Sequence, residues 1–498
     1  MDRRLASSTD LTRVRIDATR CDGQGVCVLV APEVFALDRY GLAYVVPGSD
    51  ELLATDDDIR ARALEADALC PRNAIRTELV SARAPLPDPV PRTPDVPVMA
   101  AAPRLVLDEA EAESVAGWHS RGGYSSPSPA ELLELIEQAG LVGHGGAGFP
   151  TADKWRRVVG ADQPVVVANG SEREPGTDKD RYLLSQRPGL VLDGLRLAAH
   201  AVGARLAFIC IDEDAEVAAK QMEIAVQEAS DAGLLDGLEI RFQRVPTRYV
   251  AGEETALLSV IEGNEPLPRL RPPYPSDVGV FGRATLVQNV ETLAQIAIAT
   301  AAGAQEYRSV GTGDSPGTGV FTVGPFGGPF RVYERAFGYQ LRDLLEEAGL
   351  LEGARAVLVG GYAGGLLRHD SLDVVLTPPA LRAAGVSLGT KSIQVLGETQ
   401  CPIGAVADIV TYFAEQSANQ CAVCFRGLPD MAEILRNIES GVSGQDAVAD
   451  LETFMGILSG RGVCRLPDGA ARIALSLLNN FADDVAAHLA GGCPFGSP

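Results

Sequence analysis

From Ser81 to Pro103 the chain reads SARAPLPDPVPRTPDVPVMAAAP, with a proline at every second or third position between Pro85 and Pro97 and hardly a large apolar side chain. Proline supplies no backbone N–H and fixes φ, so neither a helix nor a central strand can run through such a stretch. It reads as an extended, semi-rigid arm, and the sequence on its two sides is expected to fold separately. We place an N-terminal domain at residues 1–80, the arm at 81–104, and three further domains at 105–318, 319–396 and 397–498.

The N-terminal segment predicts short strands near Val14 to Ala18 and Gly41 to Val46 and a helix from Asp57 to Leu69 that stops at Cys70-Pro71. Cys21-Asp-Gly-Gln-Gly-Val-Cys27, with Cys70-Pro71, has the outer positions of a C-x2-C-x2-C run, and Gln24 stands where the middle thiol belongs. With one thiolate missing, a three-iron cluster, or a four-iron cluster whose last iron takes another ligand, suits the set Cys21, Cys27 and Cys70. Nine cysteines is an odd number. MDRRLASSTDL lacks the apolar core of a secretory signal, so metal or redox use is favoured over disulfides and a cytoplasmic location is expected. The weakly polar run Thr285 to Ala304 is interrupted by Gln288, Asn289, Glu291 and Gln295, against a membrane span. A net charge of -23 argues against nucleic acid and suits docking to a basic redox partner.

Beyond the arm, Ser128-Pro129-Ala130-Glu131 predicts a capped helix closing at Gly140, followed at once by the glycine-rich loop Gly143-His-Gly-Gly-Ala-Gly-Phe-Pro-Thr151. Strands at Val165 to Ala168, Leu206 to Ile211 and Leu238 to Val245 alternate with helices near Arg181 to Ala201 and Asp214 to Ala232. That pattern implies an α/β layer. A glycine- and β-rich stretch, Gly319 to Leu388, predicts a small separate β-containing domain, and the last hundred or so residues read as helices with cysteines in the turns. The glycine loop alone is a weak phosphate signal, but Asn169-Gly-Ser-Glu-Arg-Glu-Pro-Gly-Thr-Asp-Lys-Asp-Arg181 lies just after a strand, where α/β proteins place ligand loops. Tyr249-Val-Ala-Gly-Glu-Glu-Thr255, Arg269-Leu-Arg-Pro-Pro-Tyr274 and Val287-Gln-Asn-Val-Glu-Thr-Leu293 complete the set. Near the C-terminus, Gln416-Ser-Ala-Asn-Gln-Cys-Ala-Val-Cys-Phe-Arg-Gly427 is completed by Cys464.

Residues 15–75 resemble the small three-iron ferredoxins that serve bacterial cytochromes P450, which implies a one-electron carrier ligated by Cys21, Cys27 and Cys70. Residues 118–490 resemble the flavin- and NADH-binding subunit of respiratory complex I and its relatives in soluble hydrogenases and formate dehydrogenases. That resemblance implies an α/β flavin- and nucleotide-binding domain, a small β-grasp-like domain and a helical iron-sulfur domain behind an α+β ferredoxin domain. Carried over, Gly143, Gly145, Gly146, Lys154, Asn169, Tyr249, Gly252, Glu253 and Asn289 would hold FMN. Phe149, Lys154, Glu174, Glu254 and Tyr274 would face NADH or NADPH. Cys421, Cys424 and Cys464 follow the family signature E-S-C-G-x-C-x-x-C-R with Ala418 at its first cysteine. They leave open a three-iron cluster, a cluster with an outside ligand, or none. His144, Ser171 and Gln288 also depart from the pattern, at positions that contact flavin in the family.

The implied activity is NAD(P)H oxidation: hydride passes to FMN, then single electrons to iron-sulfur clusters and a protein acceptor, a P450 or other oxygenase. The alternatives are a subunit of a larger hydrogenase or dehydrogenase complex, and a flavin-free scaffold or relay.

Overall fold

The computed structural model describes residues 10–16, 21, 23–38, 41–46, 49, 51–53, 57–70, 74–81, 105–106, 112–442, 446–491 and 493. Nearly all of the proline-rich arm lies outside the described residues. The chain divides into two units, Met1–Asp88 and Pro89–Pro498.

In the first unit, strand β1 (Asp10–Ile16) is the centre of an antiparallel sheet between β4 (Glu51–Leu53) and β5 (Ile75–Ser81), and β2 (Phe35–Leu37) pairs with β3 (Ala43–Val45). The helix runs over Asp57–Leu69, as its pattern predicted. The N-terminal strand starts earlier than expected, and residues 17–20 lie outside the described set. Val14, Ala31, Val34, Phe35, Leu52, Ala63, Ala66 and Ile75 form the core together with Cys27. Alanines are frequent in so small a core, and units of this size ordinarily need a staple such as a metal centre.

The second unit is built on a wholly parallel sheet in the order β8 (Glu239–Val245), β7 (Leu206–Asp212), β6 (Val165–Gly170), β9 (Thr285–Asn289). β6 reads Val-Val-Val-Ala and β7 Leu-Ala-Phe-Ile-Cys-Ile because both faces are covered, as parallel sheets require. Helix Pro129–Ala139 opens with the expected capping box, Ser128 Oγ accepting from the Glu131 N–H and the Glu131 carboxylate accepting from the Ser128 N–H, and Gly140 ends it in the left-handed region. The single helix expected over Arg181 to Ala201 is instead two, Lys179–Gln186 and Pro188–Val202. Pro188 cannot continue a helix from Arg187, and it starts a new one; the buried Arg187 between them pairs with Glu113 at 2.8 Å.

Next comes a two-residue pairing of β10 (Gly311–Thr312) with β11 (Ser315–Pro316), then a mixed sheet. Its order is β13 (Arg331–Ala336), β12 (Thr318–Pro325), β16 (Ser392–Gly397), β14 (Ala354–Val359), β15 (Gly365–Arg368), with only β12 and β16 parallel. Helices Pro402–Gln416, Leu428–Glu439, Ala447–Leu458, Leu466–Asn480 and Ala482–Leu489 then pack around Ile403, Val406, Phe413, Leu435 and Leu451. Among the described residues no helix is long and apolar enough to cross a membrane.

Candidate active site

Chain leaving β6 runs to β7 on one side, while β9 lies on the other, so the strand order reverses between β6 and β9 although all four strands stay parallel. Loops leaving such neighbours part and open a crevice beyond the strand ends, the usual ligand site of an open α/β sheet. Asn169 and Asn289 are paired in register at those ends. The Asn169 amide donates to Gly252 O at 2.9 Å. Asn289 caps helix Val290–Ala302 by accepting from the Glu291 N–H at 3.1 Å, and donates to Asp180 Oδ2 at 2.6 Å. Both side chains are thereby held still.

The glycine loop is pinned at its neck: Gly143 N–H donates to Phe149 O at 2.8 Å and Thr151 N–H to Leu141 O at 2.9 Å. A short helix, Thr151–Arg156, follows it. A Cβ at Gly145 would lie 3.1 Å from Cβ of Asn289, so a side chain there would push the loop off the strand end; one at Gly252 would lie 3.2 Å from Ser171 O. Gly145 and Gly146 are exposed, with Gly146 at φ 117°. Gly143, Gly145, Asn169, Gly252 and Asn289 therefore form one cradle.

Beneath the loop lies a buried charge network. Glu291 is 3.0 Å from Lys391, 3.1 Å from Lys179 and 3.1 Å from His144 Nδ1, and Lys179 is 2.8 Å from Asp180. Burial alone would raise the Glu291 pKa, but Lys391, Lys179 and His144 outweigh it and hold the carboxyl well below its usual range. Burial pushes the His144 pKa down, so the imidazole is neutral. Two ammonium groups then face two carboxylates, which is how a buried network avoids a net charge. Burial and the charge of Asp180 push Glu172 up to about 8; its Oε2 accepts from the Asp180 and Arg181 N–H groups at 2.9 Å each.

On the more open side, Lys154 is 3.2 Å from Glu254, and Arg271 reaches both Glu254, at 2.9 Å, and Glu253. Glu253 also accepts from the Thr255 and Ala256 N–H groups and so caps helix Glu254–Ile261. Phe149 and Tyr274 are 40% and 46% exposed, which leaves ring faces for stacking, and the Arg157 guanidinium sits 5.1 Å from the centre of the Phe149 ring. Glu174 differs from its expected companions in being buried: it accepts from the Tyr362 N–H and, at 3.4 Å, from the Tyr249 hydroxyl. Burial raises its pKa to about 7, partly offset by those hydrogen bonds.

In the first unit Cys21, Cys27 and Cys70 line one cavity with Gln24, Gly25, Ala43 and Ala74. Backbone N–H groups of Ala43 and Ala74 donate to the sulfurs of Cys21 and Cys70 at 3.3 Å each. In the second unit Cys421 and Cys424 sulfurs are 3.6 Å apart, and Cys464 is close enough to act on both electrostatically. Cys424 lies in a π-helical turn, Val423–Gly427, a local widening frequent at functional sites. Asn419 occupies the signature's glycine position at φ 50°, which asparagine tolerates better than other side chains.

The turn Tyr249–Gly252 joins the two sites of this unit. Tyr249 N–H donates to Gln416 Oε1 at 3.2 Å, its hydroxyl meets Glu174, and Tyr249 and Glu253 both lie near Cys464.

The residues present fit the groups that the sequence implies. The cradle has room only because Gly145 and Gly252 lack Cβ, and Gln288, beside Asn289, has a buried amide nitrogen without a partner among the described residues. Thiols with backbone donors at their sulfurs are the donor set of iron-sulfur centres. Ser171, by contrast, donates to the buried Asp212 at 2.8 Å. Sequence reasoning passed over Lys179 and Asp180, although both lie in the quoted Asn169–Arg181 segment. It also missed Arg271, within the Arg269–Tyr274 motif. Lys391 had no local signal at all.

Residues 136–298 match the family described as Nuo51 FMN-binding domain, residues 404–488 the NADH-ubiquinone oxidoreductase-F iron-sulfur binding region, and residues 14–77 a 4Fe-4S single cluster domain. The second NADH-quinone oxidoreductase F subunit of Rhizobium meliloti is 32% identical over 78% of this chain and 98% of its own length. The corresponding NADH-quinone oxidoreductase protein of Streptomyces coelicolor is 34% identical over 74% of this chain and 85% of its own. An NAD+-reducing NiFe-hydrogenase in the H2-reduced state superposes with a TM-score of 0.70 at 25% identity, covering 96% of this chain and 85% of that one. At 32% identity over nearly the whole of such a relative, this chain is a member of the family of NADH-quinone oxidoreductase F subunits.

Proposed function

We propose that this chain oxidises NADH as the electron-input subunit of a larger redox assembly, with FMN in the β6/β9 cradle, a cluster on Cys421, Cys424 and Cys464, and a second on Cys21, Cys27 and Cys70. FMN, when bound, takes the hydride of NADH as an electron pair and releases electrons singly to the clusters. The observation that carries this reading is the Tyr249–Gly252 turn, which touches the nucleotide-side carboxylate Glu174 and the cluster loop at Gln416 at once.

Gly143, Gly145 and Gly146 bring backbone N–H groups to the flavin phosphate, while Asn169, Gly252 and Asn289 shape the floor. Lys154, released from Glu254, offers its ammonium to negative charge, and Arg271 keeps Glu253 and Glu254 in place. Tyr249 and Glu253 stand between the flavin and Cys464. Phe149 and Tyr274 provide stacking faces for the nucleotide, with Glu174 and Glu254 as hydrogen-bonding partners for its ribose or amide. With three cysteines at each site, we assign a three-iron cluster to the first and, to the second, a three-iron cluster or one completed by an outside ligand. The chain is assigned to the cytoplasm and to the five segments read from the sequence, 319–396 being β-grasp-like.

The named relatives belong to NADH-quinone oxidoreductase and to an NAD+-reducing hydrogenase, which supports an acceptor within a complex rather than a P450. The ferredoxin unit would be its outlet, held near by the proline-rich arm. A second reading, a relay without flavin, draws on Ser171 being tied to Asp212 and His144 to Glu291.

Anaerobic NADH titration of the purified chain, with flavin and iron assayed and absorbance and low-temperature EPR recorded, separates the two. Bleaching of flavin with a concerted change in a cluster signal is the expected result. Absence of flavin and an unaltered spectrum would overturn it in favour of the relay.

A further inference from the structure

Cys401, His488 and Cys493 play no part in the site just described, and local sequence gives no hint that they belong together. Cys401 caps helix Pro402–Gln416, with its sulfur accepting from the Gly404 N–H at 3.5 Å. His488 lies near the end of helix Ala482–Leu489 and is fully buried. Gly491, at φ 117°, turns the chain beyond that helix, and the thiol of Cys493 reaches hydrogen-bond contact with Cys401.

The ligand atoms of the three residues all lie within 4.8 Å of one another, the one group of this kind among the described residues. Cys401 Sγ and His488 Nε2 are 3.3 Å apart. His488 Nδ1 is 2.7 Å from the carbonyl oxygen of Asp484. A carbonyl only accepts, so Nδ1 carries the proton and Nε2 turns its lone pair toward the two sulfurs, the outer-shell arrangement that orients histidine on metals. Around one tetrahedral Zn2+, sulfur and nitrogen ligands stand about 3.6 Å apart and two sulfurs about 3.8 Å apart. The group has that single-ion scale.

We propose that Cys401, His488 and Cys493 form a mononuclear Zn2+ site, with the fourth position taken by water on the half-buried cysteine side. Two thiolates and a neutral imidazole cancel the charge of the ion, so the site is neutral beside the buried His488. Its role is structural. It ties the tail after the last helix to the start of helix Pro402–Gln416, whose far end leads into the loop of Cys421 and Cys424.

The test uses the full chain, expressed with added iron and zinc, with both metals counted by mass spectrometry and zinc sulfate titrated against a chromophoric chelator. Expected is one zinc per chain, with affinity reduced about 100-fold or more in Cys401→Ala and in Cys493→Ala while iron and flavin contents stay unchanged. Cys493→Ala changes only the half-buried tail, so it remains informative if Cys401→Ala or His488→Gln fails to fold. A zinc chelator should lower the Tm of the parent protein and leave that of Cys493→Ala unaltered. Zinc-free protein that takes up none, zinc retained by both cysteine variants, or a Cys401–Cys493 disulfide that takes up no zinc after reduction would overturn the assignment.

Discussion

The two cysteine sites proposed for iron-sulfur clusters each lack one cysteine of their pattern, yet the structure treats the gaps differently. In the first unit the substituted position is Gln24, an exposed polar side chain on the wall of the cavity that Cys21, Cys27 and Cys70 share. In the second it is Ala418, half-buried and without any group able to ligate, next to an Asn419 that holds the left-handed turn. Cys27 belongs to the core of a small unit, which would lean on a cluster, whereas Cys424 and Cys464 belong to, and Cys421 packs against, a much larger helical core able to stand without one. A lost thiolate thus has a structural cost in the first unit and mainly an electronic one in the second.

The largest expected effect follows from removing Cys70. Cys70→Ala should abolish the first cluster and unfold residues 10–81, seen as loss of protease resistance in that unit, while NADH-driven reduction of ferricyanide continues. If the unit stays folded without iron, the comparison breaks. Cys464→Ser should remove the second cluster's EPR signal and stop electron transfer beyond the flavin, leaving flavin bleaching by NADH and the Tm nearly as before; an unfolded helical region would contradict this. Ala418→Cys and Gln24→Cys should each add about one iron and convert the local EPR signature to that of a four-iron cluster. An unchanged iron count at either position would show that a non-cysteine ligand already fills it.

Smaller effects sharpen the contrast between cofactor cradle and buried network. Asn289→Ala removes a helix cap and the partner of Asp180, so unfolding should cost about 2–3 kcal/mol less, and flavin should dissociate more readily on dilution. Glu174, raised to about 7 by burial, holds a proton that the unfolded chain releases near pH 4.5. The native state is therefore the more protonated one between those values, and stability contributed by this group falls as pH rises through about 7. Glu174→Gln should be more stable than the parent by about 3 kcal/mol at pH 8 and equal to it near pH 4, as denaturant titrations at both values would show.

Local physics made some of this readable in advance. The capping box at Ser128 and Glu131 and the stop of helix Asp57–Leu69 at Cys70-Pro71 depend on neighbours a few residues apart. Asn169, Gly252 and Asn289 were identifiable as motif members, but that they share one cradle depends on the parallel register of β6 and β9 and on the Gly252 carbonyl arriving from another loop. The break at Arg187-Pro188 follows from the proline, which the expectation of a single helix over Arg181 to Ala201 left out of account. Lys391 was beyond reach, because its partner His144 lies 247 residues away.

The sequence by itself determined the class of cofactor chemistry and pointed to the thiols proposed to bear it, since short cysteine spacings and glycine loops act within a few residues. Tertiary structure alone decided that Glu174 is buried while Glu254 is not, how four charged groups neutralise one another beneath the loop, and that Cys401, His488 and Cys493 meet. Those outcomes rest on burial and on distances between segments far apart in the chain, and neither quantity is a property of a local stretch of residues.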